Sequence, residues 1–335
     1  MVDVLILIGS LVVILFGAEL FTNGVEWLGN KFKLSEGAVG SVLAAVGTAL
    51  PETMIPIIAI VFGAGAAKYD IGIGAILGAP FMLSTLALLI SGVAALVYTA
   101  GKRRMVELKL DRSVMLRDLS FFLVVYALAI LAAFIPVHWG KVLVAVGLLG
   151  AYGVYVYQTV FKEEPASDQD EVLAPLIFAK KAADPGTGIV VFQVLTALVG
   201  IVLGADYFVK GIEHLSRSMG VSPFIVSVIL APVATELPEK FNSVIWIGKG
   251  KDTLALGNIT GAMVFQSSVI PAIGILLTPW VLAPLQLVNA GLALASAGLV
   301  YATFRLRGTL KPQDLLFGGF FYLMFIAYLA RGTKI

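Results

Sequence analysis

Two stretches place a carboxylate directly after a proline inside a long apolar segment: Gly-Thr-Ala-Leu-Pro-Glu at 47–52 and Ala-Thr-Glu-Leu-Pro-Glu at 234–239. A charged side chain at the centre of a bilayer costs at least ~2.5–3.5 kcal/mol, so its presence there points to an ion or proton path. Glu52 and Glu239 are therefore expected to be ligands of a cation held at membrane depth. The rest of each motif offers further oxygens. Pro51 and Pro238 carry no N–H, so each frees a backbone carbonyl about one turn earlier, near Thr48 and near Thr235. Hard divalent cations such as calcium take about six to eight oxygens from carboxylates, carbonyls and water. Two facing copies of the motif would supply two carboxylates, two threonine hydroxyls and several carbonyls. A structural alternative makes the prolines simple kinks and pairs the glutamates with a buried base.

A third carboxylate, Glu236, lies three residues before Glu239 and on the same helix face. Like charges that close in a low dielectric do not easily both ionise, which suits a proton carrier. Lys240, four residues after Glu236 in the favourable order, points instead to an ion pair, unless it extends toward the inner surface. In a third reading Glu236 is an extra cation ligand. All three stand open in the sequence.

Helices in a membrane must position these groups. Of 335 residues, 59% are hydrophobic and 13% charged, with a mean hydropathy of +0.98; a soluble domain carries about a quarter charged residues. Apolar runs near the ~20 residues of a spanning helix recur from end to end. They predict spans at 4–28, 36–63, 70–98, 118–136 and 140–161, then at 188–213, 221–248, 253–278, 281–304 and 313–331. The first run follows only Met1, Val2 and Asp3, without the basic n-region of a secretory signal, and is expected to be the first membrane helix. The segment 162–187 is a polar linker with room for a surface-lying turn around 172–179.

The second half repeats the first. At a constant offset of 187, positions 17–52 match 204–239 at 15 of 36 places, Gly17/Gly204 and Gly24/Gly211 among them. Past the motif the offset becomes 183, pairing Gly74 with Gly257 and Gly78-Ala79 with Gly261-Ala262. The glycines of the third and eighth spans are expected to allow close helix packing. Repeats that start five spans apart have opposite orientations, a pattern of secondary transporters. The expected fold class is thus an all-α polytopic membrane protein with ten transmembrane helices in two inverted five-helix repeats. Residues 1–161 form the first repeat, 162–187 a cytoplasmic linker and 188–335 the second repeat. Lysines and arginines concentrate in loops on one side, including Lys102, Arg103, Arg104, Lys180, Lys181, Arg305 and Arg307, which puts both termini outside.

Several classes drop out. The chain has no Cys and two distant His, so thiolate and histidine metal centres are not expected. The net charge of +2 is spread over loops and says nothing of nucleic acid or acidic partners; no nucleic-acid partner is expected, and no obligate protein partner is evident. With no nucleophile–base set or phosphate loop, an enzyme is not expected.

With these motifs the chain resembles the cation/calcium exchanger superfamily, in particular its sodium/calcium exchanger-like prokaryotic members. The family's Gly-Thr-Ser-x-Pro-Glu motif is matched by Thr48, Pro51 and Glu52 and again by Thr235, Pro238 and Glu239. Gly-Ala-Glu at 17–19 and Gly-Ala-Asp at 204–206 also resemble it. The resemblance covers both repeats and all ten spans. It implies a central site between helices 2, 3, 7 and 8, and alternating access as helices 1 and 6 slide past that core. It also implies a multi-pass protein of a prokaryotic plasma membrane whose partners are the lipid bilayer and inorganic cations. No cofactor is implied beyond the transported ions. Glu52 and Glu239 would be shared cation ligands, with Thr48 and Thr235 adding oxygens.

The chain also departs from the pattern. The serines that follow the threonines are replaced by Ala49 and Glu236. On helices 3 and 8 the family favours Gly-Ser-Asn with Asn or Asp three positions after the Asn. Here stand Gly78-Ala79-Pro80 with Leu83, and Gly261-Ala262-Met263 with Gln266. Side-chain oxygens are missing at Ala49, Ala79, Leu83 and Ala262, while Glu236 and Gln266 join the candidate ligands. The resulting expectation is a secondary-active antiporter that exchanges a divalent cation, calcium first, for H+ or Na+. A sodium-driven calcium exchanger with degenerate sodium sites, and a membrane homologue that no longer transports, are the alternatives.

Overall fold

The helices begin and end where local chemistry lets them. Asp111 accepts from the backbone of Ser113 (2.7 Å) and Val114 (3.1 Å), starting one helix. Ser222 accepts from Phe224 N (3.2 Å) ahead of Pro223, whose missing N–H is harmless in a first turn. Gly220 (φ 66) and Gly308 (φ 76) end two others in the left-handed region. The computed structural model describes residues 2–32, 49–63, 65, 67–101, 107–162 and 174–332.

Numbered along the chain, the helices are α1 (Val2–Lys31), α2 (Leu50–Phe62) and α3, which runs from Ala67–Met82 through a π turn at Leu83–Ala87 into Leu88–Ala100. Then come α4 (Arg112–Leu131), α5 (His138–Lys162), α6 (Thr187–Met219), α7 (Pro223–Gly248), α8 (Asp252–Leu277), α9 (Pro284–Arg307) and α10 (Phe317–Gly332, entered by a turn at Pro312–Leu315). Among the described residues, eight helices are long and apolar enough to cross a membrane, with shorter apolar helices at Leu50–Phe62 and Pro223–Glu236. The part of the expected second span before residue 49 lies outside the described residues.

The helices form two compact units, each drawing on both halves of the sequence: Met1–Lys68 with Gly153–Gly220, and Tyr69–Tyr152 with Val221–Ile335. In the first unit α1 and α6 are antiparallel, and their contacts repeat the sequence offset. A Cβ on Gly17 would lie 2.8 Å from Ile201 Cγ1, and one on Gly204 would lie 2.8 Å from Ile14 Cγ1. Gly24 meets Val194 and Gly211 meets Leu7 in the same way. Each glycine of one helix receives the residue that, in the other, corresponds to its own partner. Gly204→Val is therefore expected to force the crossing apart, destabilising the protein by about 1–3 kcal/mol through overpacking. A fall in the unfolding midpoint would show it, and an unchanged midpoint would refute this packing.

The end of the linker is tied to the same pair of helices. Trp27 Nε1 donates to Ala174 O (2.9 Å), Ile177 N to Asn23 Oδ1 (3.1 Å) and Phe178 N to Gln193 Oε1 (2.9 Å). Lys31 pairs with Asp184, and Leu176 is buried with Trp27 and Val190. The expected turn is present as a 3-10 turn at Ile177–Ala179.

In the second unit α3 is an interior helix, with 83% of its most apolar stretch buried. Ser227 Oγ of α7 donates to Ile71 O (2.7 Å), and a Cβ on Gly78 would lie 2.6 Å from the Val228 carbonyl. Here glycine does permit backbone-to-backbone packing. The π turn opens at buried Leu83; Ser296 Oγ of α9 donates to the Ser84 carbonyl (2.5 Å), and Gly318 of α10 lies against the Thr85 carbonyl. Extra-wide turns of this kind leave carbonyls for outside donors.

Candidate cation site

The first Pro-Glu motif enters the structure at Ala49. Pro51 sits in the first turn of α2, where the lost N–H interrupts nothing, and Thr53 donates from N (3.1 Å) and Oγ1 (2.7 Å) to the Ala49 carbonyl. Glu52 follows in the same turn, 7% exposed. The positive end of the helix dipole favours a carboxylate at that place. Thr48 lies outside the described residues.

The second motif lies within α7, which runs on through Pro238 to Gly248. The side chain of Glu239 lies outside the described residues. Thr235 is buried and donates to the Ala231 carbonyl (3.1 Å), which leaves its oxygen lone pairs for other use. Glu236 is buried as well, with its two oxygens divided between partners. Gln266 Nε2 of α8 donates to Oε1 (3.0 Å), and Lys240 Nζ lies 3.5 Å from Oε2. Lys240 also donates to Asn258 Oδ1 of α8 (3.2 Å). Glu236 and Lys240 are 2% and 3% exposed, so the lysine does not extend to the inner surface. A buried ammonium needs a carboxylate and further oxygens to offset its desolvation; Glu236, one turn earlier on α7, and Asn258, across on α8, supply them.

A scan for protein families matches the sodium/calcium exchanger protein model over residues 2–161 and 189–333. The chain belongs to that family. As a member of the cation/calcium exchanger superfamily it is a multi-pass integral membrane transporter and not an enzyme. A putative antiporter CaxA from Alkalimonas amylolytica is 24% identical over 326 residues, covering 97% of this chain and 96% of that protein. A crystal structure of the H+/Ca2+ exchanger CAX superposes with a TM-score of 0.73 at 16% identity, over 98% of this chain and 82% of the other. The sodium-calcium exchanger NCX_Mj gives 0.55 at 19% identity, over 97% and 98%. These structural likenesses establish a shared fold.

Within this exchanger, Glu236 and Gln266 come together on facing turns of α7 and α8; Thr235 is buried on α7 beside them in sequence and bonds its own helix, while Glu52 stands on α2 of the other unit. Asn258 belongs to the same polar group, yet its sequence context shows only an unused glycosylation signal inside a span. The available cue was its spacing: eight residues before Gln266, about two turns along one face of α8. The expected close packing holds in α8 at Gly274, where a Cβ would lie 2.6 Å from Trp280 and 2.7 Å from Ile76, but not at the two glycines nearer the site. A Cβ on Gly261 would meet no atom within 4 Å, and one on Gly257 only Val114 Cγ1 at 4.0 Å. Asp206 pairs with Lys210 on its own helix (2.6 Å), and Glu19 is exposed.

Proposed function

We propose that this chain is a secondary-active antiporter that moves a divalent cation, calcium first, in exchange for H+ or Na+ by alternating access. The observation that carries the reading is the buried polar pair at the second Pro-Glu motif, where the Glu236 carboxylate meets Gln266 in an apolar span with buried Thr235 next in sequence. Apolar packing alone would not retain a carboxylate there. Glu52 and Glu239 are the charged ligands in this reading, with Thr48 and Thr235 adding oxygens. The ten-helix, two-repeat architecture is supported by the reciprocal Gly17–Ile201 and Gly204–Ile14 contacts. Loop charges favour both termini outside a prokaryotic plasma membrane.

The absent side-chain oxygens at Ala49, Ala79, Leu83 and Ala262 weaken a sodium set more than a divalent site that retains carboxylates. In proteoliposomes, calcium uptake is accordingly expected under an imposed proton gradient and not under a sodium gradient alone. Uptake driven by sodium would return the chain to sodium coupling. Uptake of neither calcium, manganese nor magnesium under either gradient would defeat the transport reading.

A further inference from the structure

We propose that the Lys240 ammonium is a tethered monovalent cation occupying a cage formed by Glu236 and Asn258 and braced by Gln266, and that the cage accepts a sodium ion once the ammonium is removed. The inference rests on the reading of the α7–α8 face as part of a cation path.

Three observations carry it. First, a lysine in a membrane span ordinarily runs its stem along the helix and leaves its charge in water. Lys240 is instead 3% exposed beside a carboxylate that is 2% exposed. Second, its neighbours here are oxygens suited to a hard cation: Glu236 Oε2 at 3.5 Å and Asn258 Oδ1 at 3.2 Å. Gln266 braces the other carboxylate oxygen at 3.0 Å, and its own Oε1 is buried without a hydrogen bond among the described residues. A carboxylate oxygen and an amide oxygen thus face the ammonium, and the carboxylate supplies a negative charge opposite it. Third, there is room beside the cage. Asn258 is exposed, and one turn further along α8 the space beside Gly261 is empty out to 4 Å. The covalent tether means that this positive charge stays with the protein through the transport cycle, whereas a sodium ion in its place would exchange.

The test is thermal unfolding of the purified full-length protein in sodium chloride against choline chloride at equal ionic strength. Lys240→Ala should show a saturable, sodium-dependent rise in midpoint of about 2–4 °C or more beyond any shown by wild type. Glu236→Gln combined with Lys240→Ala should lose that rise, because the anionic ligand is gone. Lys240→Ser serves as a second, smaller replacement. Isolation of either variant in sodium but not in choline supports the proposal. It is overturned if neither can be isolated in sodium, or if sodium shifts variant and wild type alike. Calcium titrated onto wild type in the same assay tests the transport reading separately: a calcium response there with no sodium response in the variants sinks only the tethered-cation proposal.

Discussion

Replacing Glu52 by Gln is expected to abolish divalent-cation uptake, and Glu239→Gln to do the same. The substitution is nearly isosteric, so what it removes is charge. At an effective dielectric of about 20 and a contact of about 2.4 Å, a carboxylate and each unit charge of the ion attract by about 7 kcal/mol. Desolvating both partners offsets much of that. A residual loss of about 3 kcal/mol still lowers affinity by roughly 100-fold. Glu52 stands in the first turn of α2, where its favourable interaction with the helix dipole is worth about 0.3–1 kcal/mol. Calcium should no longer raise the unfolding temperature of the variants or accumulate in proteoliposomes. Uptake at the wild-type rate in Glu52→Gln would remove the residue from the site. A loss in one variant but not the other would break the two-fold symmetry on which the assignment rests.

The spans were legible because a bilayer imposes a length and a polarity that few other environments do. Their ends were less so. Hydropathy closes the sixth span near 213, where charged residues crowd, but α6 runs to Met219 because the helix continues until Gly220 adopts φ 66. Within that extension Glu213 and Arg217 form an i,i+4 pair at 2.5 Å, which supports a helical turn in a polar stretch. The fourth span shows the reverse error: α4 starts at Arg112, before the apolar run, because Asp111 caps it. The inverted repeat was legible in its shared residues and silent about the unshared ones. Asn23, Trp27 and Gln193, which hold the linker turn, correspond to Lys210, His214 and Ile6 at the repeat offset, so symmetry gave no hint of them. The candidate site was legible in its charges, since a carboxylate in an apolar run cannot be overlooked. Asn258 was not, because a neutral amide in a span is cheap enough to have many uses, and only the distance to Lys240 assigns it one. Nor does one-dimensional order reveal that each compact unit takes helices from both halves.

Lys240→Met, measured without sodium, is expected to destabilise the protein by about 3–5 kcal/mol, the usual cost of removing one member of a buried ion pair. Methionine keeps most of the lysine stem, so packing along α7 is nearly conserved and the loss reports charge. Glu236 is left in a site where it is 2% exposed, with the Gln266 amide as its other partner among the described residues. Adding Glu236→Leu to Lys240→Met should recover most of the stability, because two apolar residues of similar volume avoid the desolvation that the pair must offset. Chemical denaturation or the shift in unfolding midpoint reads both effects, and a double variant no more stable than Lys240→Met would contradict the pairing seen at 3.5 Å. If the recovered double variant has lost transport, the pair is kept for ion handling, since stability alone would favour its replacement. If it transports at the wild-type rate, the pair is a packing feature of α7 and α8, and the cation path runs through Glu52 and Glu239 without it.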